Sequence, residues 1–217
     1  MRREITVMKH LIGAAVILCL ATSVSAREVR SFSRDFDAKG LEQLRLDIPV
    51  GALEIEGTSG DRIEVEVQIE CNFRKSKCRD LAEAIDLVAS TFGDEIALEL
   101  DGLKKWRSLG MSFEIQVKAP ARMELDVELG VGSIDIQGFE NDITVDQGIG
   151  ELKVTMAESR VDFVDIDAGL GEANIRFTGG HLAASGIFDN DLRWSEGKGA
   201  ARVRLDLGIG EVDLRLR

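Results

Sequence analysis

Residues 127–177 read VELGVGSIDIQGFENDITVDQGIGELKVTMAESRVDFVDIDAGLGEANIRF. Three times a Gly-x-Gly opens onto alternating apolar and polar residues. Gly130-Val131-Gly132 precedes Ile134 and Ile136, Gly148-Ile149-Gly150 precedes Leu152 and Val154, and Gly169-Leu170-Gly171 precedes Ala173 and Ile175. These copies begin 18 and 21 residues apart, and a fourth, Gly208-Ile209-Gly210 before Val212, Leu214 and Leu216, closes the chain. Strands without the double glycine lie between them, such as the one holding Ile143 and Val145. A recurring unit near 20 residues marks a stacked-repeat fold, in which no unit buries its apolar face alone and stacking builds one continuous core. Glycine suits the corners because they need positive φ or close backbone approach.

The same alternation extends backwards. Leu44, Leu46 and Ile48 alternate with Arg45 and Asp47, Pro49-Val50-Gly51 turns the chain, and Leu53 and Ile55 follow. Ile63 to Cys71, Ile96 to Leu100, Met111 to Val117 and Met123 to Leu129 repeat the period of two, which means one buried and one wet face. Residues 27–39 read as a loose polar lead-in stapled by Phe32 and Phe36. The pattern breaks at 79–91, where Leu81, Ala84, Ile85 and Val88 fall on one helical face, Asp80 sits in the expected first turn and Gly93 serves as the stop. Residues 179–198 read as a distorted rung or insertion, after which Val203, Leu205 and Leu207 recover the period. The fold class expected is all-β, a β-solenoid or β-roll with one short helix at 79–91; a β-sandwich with Greek-key links is the alternative. The glycine pair at a fixed phase of each unit favours the solenoid.

Residues 1–26 read as a secretory signal peptide. Arg2, Arg3 and Lys9 precede an apolar run of ten ending at Leu20, too short to cross a bilayer, and Val24-Ser25-Ala26 offers small residues for cleavage. One domain is expected over 27–217, with a clamped helix in 27–120 and the glycine-pair array in 121–217, and without a transmembrane segment once the leader is removed. The leader takes three basic residues and one acidic one, so the net charge of −12 becomes −14. Such a surface repels nucleic acid and anionic lipid. The remaining cysteines, Cys71 and Cys78, read as a disulfide in an oxidising compartment. A metal site at that pair lacks further ligands, since His181 is the one histidine left.

The run Leu44-Arg45-Leu46-Asp47-Ile48-Pro49-Val50-Gly51 followed by Leu53-Glu54-Ile55-Glu56-Gly57 resembles the start of the bacterial "putative adhesin" family with DUF4097-type β-strand repeats. Ile115-Gln116-Val117-Lys118-Ala119-Pro120 leading to Gly130-Val131-Gly132-Ser133-Ile134 resembles it too. The resemblance spans roughly 36–217 and implies an extracytoplasmic, repetitive all-β domain without catalytic residues. The cysteine pair and the helix depart from that pattern.

Candidate chemistry is thin. Each glycine pair precedes a strand, so a phosphate loop lacks the helix behind it. Asp162, Asp165 and Asp167 sit at outward strand positions, where nothing separates two carboxyl pKa values as general acid–base work requires. His181 has neither a nucleophile nor a positioned partner. The run Asp189-Asn190-Asp191 is a weak calcium candidate, since hard cations want clustered oxygens. Lys104, Lys105, Trp106 and Arg107 form a basic loop with an aromatic, and Trp194 is a second candidate contact. Tyrosine is absent, which weakens a sugar platform. The expectation is a non-enzymatic binding or structural module without cofactors. It would be periplasmic or alternatively secreted, present a sheet face or the 102–110 loop to a protein or envelope partner, and be able to oligomerise through open solenoid ends. The rivals are a hydrolase acting on acidic polysaccharide in a solenoid groove, and a Ca²⁺-stabilised scaffold.

Overall fold

The computed structural model describes residues 27–71, 76–102, 111–187 and 190–217. Its elements are β1 (Arg27–Asp37), β2 (Gln43–Thr58), β3 (Arg62–Cys71), α1 (Ser76–Glu83), β4 (Asp86–Phe92), β5 (Glu95–Asp101), β6 (Met111–Pro120), β7 (Glu124–Gln137), β8 (Ile143–Met156), β9 (Val161–Phe177), β10 (Gly180–Gly186), β11 (Leu192–Trp194) and β12 (Ala201–Leu216). Five of these strands, β2, β7, β8, β9 and β12, are long because each runs straight through a glycine corner. Each is one rung, with an arm before the corner and an arm after it.

The rungs stack in parallel in the order β2-β7-β8-β12-β9. Their corners are in register: Gly51 pairs Gly132, Gly132 pairs Gly150, Gly150 pairs Gly210 and Gly210 pairs Gly171. Parallel neighbours need a long crossover. Here the second arm supplies it, and the short link 138–142 returns the chain from β7 to the start of β8. Apolar rows run across the stack on both arms. One is Leu46, Val127, Val145, Leu205 and Ile166; another is Ile55, Ile136, Val154, Leu214 and Ile175. All are buried and belong to one core. This is the expected all-β, solenoid-like architecture, with two features of its own. The stack does not follow chain order, because β12 inserts between β8 and β9. The two arms also part company at both ends. Beyond β2 the first arm continues into β5 and β4, and the second into β6, β3 and β1; beyond β9 the arms pair with β11 and β10 respectively. The middle is a solenoid, and each end opens into two separate sheets.

The helix expected at 79–91 is displaced. α1 starts earlier and ends at Glu83, so Asp80 lies outside its first turn, and Asp86–Phe92 is a strand in a hairpin with β5. Leu81, Ala84, Ile85 and Val88 have helical spacing, yet Val88 is 47 % exposed. Val88, Thr91 and Phe92 favour strand, and Gly93, at φ +67, forms a two-residue turn with Asp94 instead of a helix stop. Arg30 terminates α1: its guanidinium donates to the carbonyls of Ala82 (2.8 Å) and Glu83 (3.0 Å), and to that of Ile85, satisfying acceptors left over at a helix end. Cys71 and Cys78 are bonded, tying the end of β3 to α1.

The lead-in at 27–39 is also ordered, as edge strand β1, antiparallel to β3 with Phe32 opposite Val67 and Phe36 opposite Ile63. Its half-buried face is Arg30, Phe32, Arg34 and Phe36, and both guanidiniums lie over the Phe32 ring at 4.6 and 5.1 Å. Alternating arginine with phenylalanine hid a strand behind a polar composition. The irregular segment after Phe177 contains the β9–β10 hairpin and the short β11.

Candidate binding face at the glycine corner

The glycine that closes each corner (Gly51, Gly132, Gly150, Gly210 and Gly171) has φ between +143° and +155°, a region that side chains with a Cβ avoid. A Cβ on Gly132 would lie 1.7 Å from the Gly51 carbonyl oxygen, and one on Gly150 would lie 1.6 Å from that of Gly132. The backbones therefore close up at the corner as only glycine allows. Gln147, buried among Ile48, Leu129, Leu207 and Ala168 in its row, fastens the corner by donating from Nε2 to the Gly132 carbonyl at 2.8 Å.

The residue before each of these glycines is aliphatic, and the register lines them up: Val50, Val131, Ile149, Ile209 and Leu170. Four of the five are among the exposed large hydrophobics, at 39 % for Val131, 47 % for Ile149, 46 % for Ile209 and 43 % for Leu170. At a rung spacing of about 4.8 Å, five side chains make a ridge roughly 19 Å long. Solvent-facing turns usually carry polar residues, so a contiguous aliphatic row there is informative. The signal was present in the sequence as V, I, L and I at the centre of the Gly-x-Gly units.

Two rows of acids border the ridge. Three residues before it stand Asp47, Glu128, Asp146, Asp206 and Asp167; two residues after it stand Glu151, Glu211 and Glu172. Arg45 neutralises Glu128 (2.5 Å) and Lys153 meets Glu151 (3.2 Å). The other six have no ion-pair partner within 4 Å among the described residues. Burial, and then the negative charges of Asp167 and Asp146, push the Asp206 carboxyl above its ordinary pKa. Asp213 behaves oppositely. Burial would raise it, but hydrogen bonds from Arg215 (2.9 Å) and Arg176 (2.8 Å to each oxygen) outweigh burial and hold it low.

The residues singled out from sequence do not converge on a site. Trp194 is 4 % exposed and packs on Phe177 at a centroid distance of 5.8 Å, so it closes the core at the β11 end instead of offering a contact. Asn190 is buried and donates to the carbonyls of Gly171 and Gly186, both at 3.4 Å. That commits its side chain to the fold, while Asp191 is exposed. Asp165 is paired with Arg193 at 3.0 Å, and Asp162 and Asp167 are exposed. His181 is exposed on β10. Among the described residues no cluster of three or more metal-ligating side chains forms, and no helix is long and apolar enough to cross a membrane. Lys104, Lys105, Trp106, Arg107, Asp189 and the leader at 1–26 lie outside the described residues. A shallow depression of about 220 Å³ over β2, β6 and β7 is lined by Glu54, Glu56, Gln116, Lys118, Asp135 and Gln137, a wet surface without a desolvated acid pair.

The family model for the N-terminal domain of toast_rack, DUF2154, matches residues 24–176. Among solved structures, a "putative cell adhesion protein" from Clostridium sporogenes is 18% identical. It aligns over 88% of this chain and 100% of its own, with a TM-score of 0.55, and so shares the fold. A "putative adhesin" from Bacteroides fragilis, 12% identical, covers 85% of this chain and 97% of its own at a TM-score of 0.33. Comparison with curated proteins gave no match. The family that the sequence matches is thus DUF2154 and not the expected DUF4097, and the likeness to the Clostridium sporogenes structure is one of fold.

Proposed function

The chain belongs to the family of the toast_rack N-terminal domain, DUF2154, and we propose that it is a non-catalytic, extracytoplasmic binding module that presents its glycine-corner ridge to a protein partner of the cell envelope. The observation that carries this reading is the in-register row Val131, Ile149, Ile209 and Leu170, exposed on a scaffold whose other aliphatic rows are buried, with half-buried Val50 at its end. Four corners each keep a large aliphatic side chain in water, where a polar residue would cost the fold nothing. The rungs are rigid because every corner is locked by backbone contact, so the ridge is preorganised for docking. The Cys71–Cys78 bond supports an oxidising compartment, and together with the leader read at 1–26 it favours a periplasmic location.

The test is capture. Crosslinking pulldown from envelope extract with the wild-type chain should enrich one specific protein. The doubly substituted Ile149→Thr/Ile209→Thr chain should lose it with an unchanged melting temperature. Capture that survives the double substitution moves the contact away from the ridge. Turnover of an envelope polysaccharide, abolished by Asp162→Asn or Asp165→Asn, would replace a binding module with a hydrolase.

A further inference from the structure

We infer that the ridge is built for a cationic amphipathic segment of a partner protein, one with an apolar stripe flanked on both sides by lysine or arginine; this rests on the ridge being the binding face. Three adjacent rungs repeat one pattern. β8 carries Asp146-Gln147-Gly148-Ile149-Gly150-Glu151, β12 carries Asp206-Leu207-Gly208-Ile209-Gly210-Glu211, and β9 carries Asp167-Ala168-Gly169-Leu170-Gly171-Glu172. Register stacks them with acid on acid, aliphatic on aliphatic and acid on acid. Three exposed aliphatic side chains are thereby bracketed by six carboxylates, of which Glu151 alone forms an ion pair within 4 Å among the described residues.

Charge decides among the occupants an apolar strip could accept. An anionic bilayer would bring phosphate against both acid rows. A second copy of this chain would bring the same acids and a net charge of −12 against them, and like charges across an interface are unfavourable. A basic segment meets an attraction on either side of its apolar stripe, and lysine and arginine can lay their methylenes on the aliphatics while their charged ends reach the carboxylates. The excess negative charge is already felt within the row, since burial and its acidic neighbours raise the Asp206 carboxyl. Lengths agree as well. A ridge of about 19 Å matches roughly 13 residues of helix, whose turn of about 5.4 Å runs close to the rung spacing of about 4.8 Å.

Fluorescence anisotropy with three synthetic 14-residue peptides tests this: a leucine stripe bordered by lysines, the same stripe bordered by glutamates, and the lysine peptide with its order scrambled. The wild-type chain should bind the first at least tenfold more tightly than either other peptide, with affinity falling as salt rises. Ile149→Thr/Ile209→Thr should weaken it at least tenfold. Asp146→Asn/Asp206→Asn/Asp167→Asn should weaken it and flatten the salt dependence. Both variants should keep the wild-type circular dichroism, the ridge variant with an unchanged melting temperature and the acid-row variant with one no lower than wild type. Equal binding of the glutamate peptide, equal binding of the scrambled peptide, binding to phosphatidylglycerol vesicles in preference to the peptides, or concentration-dependent self-association lost in the ridge variant would each overturn the inference. Failure of the lysine peptide, with envelope capture still dependent on Ile149 and Ile209, refutes the cationic partner and leaves the binding face standing. Failure of both refutes both.

Discussion

Gly150 and Gly40 both have positive φ, +150° and +76°, but they differ in what surrounds them. A Cβ on Gly40 meets nothing within 4 Å, whereas one on Gly150 would fall 1.6 Å from the Gly132 carbonyl oxygen and 2.5 Å from Gln147 Nε2. Gly40→Ala should therefore cost only the left-handed backbone penalty, about 1–2 kcal/mol. Gly150→Ala adds a backbone collision that neither strand can relieve without opening the stack, so a loss of at least ~3 kcal/mol is expected. Urea midpoints of the two variants measure the difference, and equal losses would mean that the corner is looser than its geometry. Part of this was legible from the chain. Paired glycines at one phase of a repeat announce corners, because few other residues tolerate them. The aliphatic residue between them was readable only as a letter. Whether a valine at a corner faces core or water depends on how the neighbouring rung packs, which periodicity along one strand does not encode.

β4 shows the same limit at the level of an element. Leu87 to Phe92 contains no charge, glycine or proline, and its spacing satisfies a helix as readily as a strand until Gly93-Asp94 is recognised as a hairpin turn. Short apolar runs are ambiguous by periodicity alone, and tertiary pairing with β5 settled this one. β1 failed in the other direction: its arginines on the half-buried face read as polar lead-in because cation–π stacking and a helix-end cap are contacts across the fold. These two edges also differ in behaviour. β1 carries arginines and aspartates along its length, which discourage edge-to-edge pairing. β4 exposes Val88 (47 %) and Phe92 (69 %) on an edge that pairs only β5 among the described residues. An edge segment of high β-propensity with no charge after Asp86 is a self-association hazard. Val88→Lys/Phe92→Lys should reduce light scattering during heating or concentration, while costing no more than about 0.5 kcal/mol because both side chains are largely solvated. Unchanged scattering would assign the hazard to another edge.

Across the whole molecule the units were legible and their order was not. Every Gly-x-Gly rung offers its neighbour the same apolar rows and the same close-packed corner, so any sequence of rungs satisfies the pattern. The chain between β9 and β12 is what lets the last rung return and insert between β8 and β9. That insertion sets Asp206 between Asp146 and Asp167, and the acid row it completes gives the molecule a distinctive response to pH. Asp206 has a folded pKa raised above its unfolded value. Its charge therefore opposes folding above the folded pKa, and that opposition fades as pH falls, vanishing below an unfolded value of about 3.9. Asp213 is lowered, so its bonds to Arg176 and Arg215 contribute fully above about 3.9 and are lost as pH falls through its folded pKa. Melting temperature should rise on acidification from pH 7 towards about 4 and then drop. Solvent screening of the row limits the rise to about 1 kcal/mol or less, which is roughly 2–4 °C for a chain of this size. Asp206→Asn should raise the melting temperature at pH 7 and flatten the rise. Asp213→Asn should lower it by an amount equivalent to about 1–2 kcal/mol, by removing charge-assisted bonds to two arginines. A melting temperature that falls steadily from pH 7 downward, with Asp206→Asn indistinguishable from wild type, would show that the row carries no strain, and would remove the electrostatic reason for a cationic partner.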